Sequence, residues 1–406
     1  MPQPLPQPLS QALPPLYCPR CGTPARDFAG CAACRTEGIG ANPVPPPADL
    51  SGLSLASFPG GPWGWPTALP VAGPPVTLGE GSTPNIRLPL GDSSQGELVV
   101  KYEGANPTGS HKDRAMAVGM AAAVASGADT VAVSSSGNAA ASAAAYAGRA
   151  GLRCVVFTTP AVPGPLRAQI DALGGVRVVC GDHDTRQAAL RESVERFGWY
   201  PLTSYTAPSP GGNSYANEGY KSLAYELARD FGDRISTVVV PTSRGDLLSG
   251  VARGFAELCA AGLLPAVPRL VTAEPDAAAP LAAALSHPDR ARQERTSVPY
   301  RRSPAFSLGE RTPTWQALNA LWGSDGTALA LPAEEYLAER QTLAAQGLFL
   351  ETSSAVAVSA ARRWVREHGG LVIAVGTATG VKDTAALPAP GEAVERVPEL
   401  AGLTLR

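Results

Sequence analysis

A chain of 406 residues with 44% hydrophobic side chains, 17% charged ones and a formal net charge of -2 has length for two or three domains with sizeable cores. That balance gives no electrostatic pull toward nucleic acid or an anionic membrane, and the alanine-rich stretches are too short and too interrupted by polar residues to span a bilayer. Seven cysteines behind an N-terminus without a basic start and apolar core point to a reducing compartment, so a soluble cytoplasmic protein without a disulfide framework is expected.

In chain order, residues 1–16 are rich in proline, glutamine and leucine and are expected to be disordered. Next comes "CPRCGTPARDFAGCAAC", where Cys18-x-x-Cys21 and Cys31-x-x-Cys34 have the paired spacing of a tetrahedral zinc ribbon. A structural zinc on Cys18, Cys21, Cys31 and Cys34 is therefore expected, the bland alternative being four free thiols in a tail. Only Arg20, Arg26 and Arg35 are basic across this segment, which gives little support for a nucleic-acid role. The proline-rich "NPVPPPADL" closes it, so residues 1–50 read as a tail plus a small separate module.

From residue 51 the pattern alternates. Apolar runs at 129–133, 152–157, 176–180, 236–240, 269–274 and 371–375 read as buried strands. Between them, residues 139–149, 166–173, 184–197 and 247–258 read as helices. Short continuous apolar strands alternating with helices indicate parallel sheets covered on both faces. The expected fold is α/β with two doubly wound sub-domains. The division is a large domain over 51–112 and 206–390, a small one over 113–205, and a tail over 391–406. Cys154, Cys180 and Cys259 fall in apolar elements and read as core.

In such folds ligands sit beyond the carboxyl ends of strands, where turns enter helices. Three segments fit: "VAVSSSGNAAAS", "VVVPTSRGDLLSG" and "IAVGTATGVKD". Each offers backbone N–H groups to an anion. None contains G-x-G-x-x-G or a P-loop, and any one could be ordinary punctuation. The chain has four lysines, Lys101, Lys112, Lys221 and Lys382. Lys112 lies behind a Pro-Thr-Gly-Ser turn at the start of an expected helix, in "NPTGSHKDRAM". There, burial and a positive helix terminus would lower its pKa toward the amine that reacts with an aldehyde. The bland alternative is a capping or solvated lysine.

"NPTGSHKDR" resembles the pyridoxal-phosphate lysine motif of threonine synthases and related fold type II enzymes, the tryptophan synthase beta-like superfamily, whose usual form is NPTGSFKDR. "SSSGNAAASAAAYA" resembles the asparagine loop of that family. "GSTP" from Gly81, "EGYKSLAYEL" from Glu218 and "TATGVKD" from Thr377 resemble further family motifs in the family's order. The resemblance implies a pyridoxal 5'-phosphate enzyme with a small amino-acid substrate, active as a homodimer. It implies that Lys112 carries the cofactor and moves protons, and that Asn138 bonds the ring oxygen. Ser135, Ser136 and Gly137 would hold the substrate carboxylate. The turn of Ser243, Arg244, Gly245, Asp246 and Leu247 would cradle the cofactor phosphate. Thr377 would face the pyridine nitrogen with a neutral hydroxyl, which suits elimination and replacement better than transamination. Lys101, Lys221 and Lys382 are expected to be solvated or structural.

The sequence also departs from the family. His111 replaces the usual phenylalanine and could titrate near the site. Asp246 would repel a phosphate unless it points away or pairs with Arg244. Ala216 stands where threonine synthases carry the arginine that grips the substrate phosphate, and Leu166, beside Arg167, stands where a lysine is usual. Two enzyme readings follow. One is a threonine synthase acting on O-phospho-L-homoserine, with Arg167, or second Arg244, as the grip. The other is a serine/threonine dehydratase or another amino-acid ammonia-lyase. A non-catalytic binding protein of the same fold would be expected to have lost Lys112.

Overall fold

The computed structural model describes residues 13–25, 27–90 and 96–384. The expected C-terminal tail, Arg26 and residues 1–12 of the expected disordered segment lie outside the described residues. A short hairpin of β1 (Leu16–Tyr17) and β2 (Pro24–Ala25) comes first. The body contributes β3 (Asn85–Leu88), β4 (Gly96–Tyr102), β5 (Thr130–Ser134), β6 (Arg153–Thr158) and β7 (Val176–Val179). It continues with β8 (Tyr200–Pro201), β9 (Ile235–Pro241), β10 (Arg269–Pro275), β11 (Thr327–Leu331) and β12 (Gly370–Gly376). Two sheets result, one in the order β11-β10-β9-β12-β4-β3 and the other β7-β6-β5-β8. Every pairing in them is parallel except β3 with β4.

The apolar runs are strands because helices bury both faces, with one correction: β7 lies at a sheet edge and leaves Val176, Val178 and Val179 exposed. On β12, Leu371, Ile373 and Val375 point into one core with Val99 and Val238. Val372 and Ala374 point into the opposite one with Leu98, Val100 and Val239. The smaller sheet repeats this: Val131, Val133 and Val156 face one cluster, Ala132, Val155 and Phe157 another. Each such side chain, fully withdrawn from water, contributes roughly 1.5–3 kcal/mol before entropy is counted. No helix among the described residues is long and apolar enough to cross a membrane.

The helix Lys112–Ala125 is buried from Asp113 to Ala123. Its placement depends on Gly219, where a Cβ would come within 1.9 Å of the Arg114 carbonyl oxygen. Arg114 is fully buried and donates to Glu103 at 2.7 Å and Glu226 at 2.7 Å. Lys101 Nζ reaches Glu226 at 2.7 Å. This paired network ties the helix to β4 and to the helix Lys221–Phe231. Lys221 is equally buried, 2.8 Å from Glu218 and 3.1 Å from Glu257. Lys101 and Lys221 are thus structural, and neither is solvated.

Two expectations about the N-terminus are corrected. Residues 13–16 are packed: Leu13 and Leu16 are buried with Met116 and Met120, and the Pro14 carbonyl accepts from Tyr215 Oη at 2.7 Å. The cysteine segment is docked on the body and does not stand apart. Tyr17 pairs with Val44 across an isolated bridge, Ile39 and Ala41 are buried against Trp315, and Arg20 reaches Glu294 at 3.3 Å.

Candidate active site

A cavity of about 340 Å³ opens at the carboxyl ends of β5, β8, β9 and β12. Lys112, Ser135, Ser136, Gly137, Asn138, the turn Ser243 to Leu247, and Thr377 all line it, joined by Arg186, Ala216, Tyr220 and Glu351. Lys112 is the first residue of its helix and donates to Tyr220 Oη at 3.3 Å. Burial first of all holds its pKa below the usual lysine value, while the carboxylates of Asp246 and Glu351 pull it back up. The neutral amine is therefore easier to reach than in water.

His111 stacks on Tyr220 at 5.7 Å, and its Nδ1 lies 3.2 Å from the Thr377 carbonyl oxygen. A carbonyl only accepts, so Nδ1 carries the hydrogen. Burial, followed by the charge of Lys112, holds the ring well below its usual pKa. His111 thus packs as a neutral ring. Thr377 Oγ1 lies 2.9 Å from Ser354 Oγ, which accepts from the Ala378 N–H at 3.0 Å.

The helix Asn138–Ala150 starts at the "SSSGN" turn without a side-chain cap, and its first two residues, Asn138 and Ala139, lie at the cavity wall. Asn138 Nδ2 donates to Glu351 Oε2 at 2.8 Å, and its Oδ1 accepts from Lys382 Nζ at 3.1 Å. The two contacts fix which way the amide points. Burial lifts the Glu351 carboxyl to about 7 and lowers Lys382 to about 8. Lys382 is therefore structural and not solvated: it holds the side chain expected to meet the ring oxygen. Glu351 was not picked out in the sequence, since an acid before "TSSAV" looks like an ordinary helix start.

The helix Asp246–Ala260 begins at Gly245, whose φ of 77° suits glycine and which supplies no side-chain cap. Asp246 Oδ1 is committed to the Gly212 N–H at 2.7 Å, Gln316 Nε2 at 2.6 Å and Asn217 Nδ2 at 3.2 Å. It pairs with no arginine; Arg244 instead meets Glu310 at 2.9 Å. Arg167 is exposed on the helix Gly164–Ala172, does not line the cavity, and is not brought to the site. Leu166 is buried in a core cluster. Arg186 does line the cavity, a residue the sequence reading passed over. The signal available was its place in the first turns of a helix after an apolar strand, where this fold puts ligands.

In the hairpin module the four cysteine sulfurs lie within 4.8 Å of one another. Cys21 and Cys31 are 3.5 Å apart, and Cys18–Cys34 and Cys21–Cys34 are each 3.7 Å apart. A zinc about 2.3 Å from each sulfur gives tetrahedral edges of about 3.8 Å. The donor set fits.

Against known proteins, the family model described as "Pyridoxal-phosphate dependent enzyme" matches residues 76–375. Threonine synthase from Methanosarcina acetivorans is 31% identical over 310 residues, 75% of this chain and 74% of that protein. Threonine synthase from Halalkalibacterium halodurans is 31% identical over 321 residues, 76% of this chain and 85% of that protein. Among solved structures, O-ureido-L-serine synthase shares the fold at a TM-score of 0.61 and 24% identity, over 75% of this chain and 90% of that one. The chain belongs to the pyridoxal-phosphate-dependent enzymes of fold type II, in their threonine synthase-like group. Its cavity suits the group: an amine at Lys112, a hydroxyl at Thr377 backed by Ser354, an uncapped helix start after Gly245, and a buried Ser134 hydroxyl without a partner.

Proposed function

We propose that the chain converts O-phospho-L-homoserine and water to L-threonine and phosphate. The observation that carries this is the convergence of Lys112, two uncapped helix starts and the Thr377 hydroxyl on one cavity, together with the threonine synthases among its relatives. In this reading the Cγ–O bond to phosphate and one Cβ–H bond break, the hydroxyl of water joins Cβ, Cγ takes a proton in place of the departed phosphate, and the remaining proton of water leaves with the phosphate.

Lys112 would hold the cofactor, Asn138 would meet its ring oxygen, Thr377 its ring nitrogen, and the turn Ser243 to Leu247 its phosphate. Bound there, pyridoxal phosphate supplies the electron sink for charge developing on the substrate carbons. Lys112 Nζ, favoured as an amine by burial, takes and returns the protons of those carbons. Ser135, Ser136 and Gly137 form the turn that would hold the substrate carboxylate, the Ser135 hydroxyl, which accepts from the Gly137 N–H at 3.1 Å, keeping its own hydrogen to donate. Thr377, a neutral hydroxyl, leaves the ring nitrogen unprotonated. The same reading places zinc on the four cysteines, a homodimer in the cytoplasm, and a small domain over 113–205 that holds the four-stranded sheet.

One observation favours a second reading: Ala216 is buried and supplies no charge for a substrate phosphate, as in an ammonia-lyase for serine or threonine. Incubating the holoenzyme separately with O-phospho-L-homoserine, L-threonine and L-serine decides between them. Phosphate and threonine in equal amounts from the first substrate support the proposal. Keto acid and ammonia from the others, without phosphate release from the first, support the ammonia-lyase.

A further inference from the structure

Arg186, on the helix His183–Phe197, lines the same cavity as Lys112. Its Nη1 donates to Ser136 Oγ at 3.1 Å. That hydroxyl lies 3.0 Å from Thr158 Oγ1 and 3.3 Å from Thr159 Oγ1. The Nε of Arg186 is buried and has no hydrogen-bond partner. Arg114, Arg253 and Arg362, also withdrawn from solvent, each face a carboxylate, Glu226, Glu218 and Glu339 in turn. Arg186 has no such neighbour. Its guanidinium is disfavoured by burial and then by Arg244, and only the Cys180 thiol acts the other way.

A half-buried guanidinium with an idle N–H, pushed by a second guanidinium and answered by no acid among the described residues, is incomplete without an anion. Three anions could reach it: the cofactor phosphate, the substrate carboxylate and a substrate phosphate. The cofactor phosphate has the uncapped helix start at Gly245, and the carboxylate has the uncapped start at Asn138. The remaining need is that of the substrate phosphate, because Ala216 is uncharged, Arg167 lies outside the cavity and Arg244 is paired with Glu310. We propose that Arg186, held in place by the Ser136 hydroxyl that accepts from its Nη1 at 3.1 Å, is the grip for the phosphate on the substrate side chain. This rests on the threonine synthase-like reading above. A guanidinium fits a phosphate oxygen pair through two N–H groups at once, which selects a phosphate monoester over an uncharged side chain.

The test compares wild type, Arg186→Gln and Arg186→Lys as holoenzymes, with cofactor absorbance recorded for each. Calorimetric titration with inorganic phosphate and, separately, with L-threonine reads the grip without turnover. Arg186→Gln should weaken phosphate binding and raise the KM for O-phospho-L-homoserine by about 100-fold, leaving L-threonine binding within about twofold. Arg186→Lys should fall between the two. Equal losses for phosphate and L-threonine would assign Arg186 to the carboxylate and overturn the proposal. Loss of cofactor absorbance would assign it to the cofactor and overturn it too, as would unchanged phosphate binding. If the wild type binds phosphate through Arg186 yet releases none from O-phospho-L-homoserine, the grip stands and the reaction reading fails.

Discussion

Glu351 and Lys382 bracket Asn138 from two sides, and burial moves their pKa values toward each other, to about 7 and about 8. For Glu351 the folded value lies above the ordinary 4.5. The native state therefore keeps a proton that the unfolded state gives up. Its contribution to stability is fully present below pH 4.5 and is lost as pH rises through about 7. Glu351→Gln keeps a neutral side chain and removes this titration. Urea unfolding between pH 4 and 8 should show wild type losing about 3 kcal/mol more than the variant over that range; parallel profiles would contradict the assignment. Neither residue could be given this part from sequence alone, because a pKa moved by burial depends on what other segments cover the group. Lys112, Asn138 and Thr377 can be named from sequence because each sits in a motif that resembles the family's, and the fold brings all three to one cavity. Ala216 announced a missing charge, but its replacement lies 30 residues earlier in the chain on a different helix.

Among the elements, six parallel strands read directly as continuous apolar runs, while β4, with Glu97 and Lys101 in it, the two-residue β8 and β11 do not. The helix starts were less legible. Nothing in "PTSRGD" shows that Asp246 is held by Gly212, Gln316 and Asn217 from three other segments. The turn itself is exacting: a Cβ at Gly245, where φ is 77°, would come within 2.6 Å of the Ala317 Cβ. Gly245→Ala should cost about 2 kcal/mol of stability and displace the N–H groups proposed to hold the cofactor phosphate. Cofactor retention on dialysis should fall along with the melting temperature. A variant that retains cofactor and stability like wild type would show that this turn is neither strained nor used.

Across the whole molecule, the cysteine module shows why linker-like composition misleads. The prolines of "NPVPPP" resemble a loose tether, yet Val44 pairs with Tyr17 and the Pro45 carbonyl accepts from Arg253 at 3.2 Å. The module is a covering for the body near Trp315. Metal analysis after metal-replete expression should find one zinc per chain, lost in Cys18→Ser while cofactor absorbance survives. A metal-free wild type would contradict the ribbon. The central claim concerns the amine at the foot of the cavity, singled out by its helix start, its burial and its place among the strand ends. Borohydride reduction of the holoenzyme followed by peptide mapping tests it most directly. The pyridoxyl group is expected on Lys112 alone; finding it on Lys382, Lys101 or Lys221 would contradict the account.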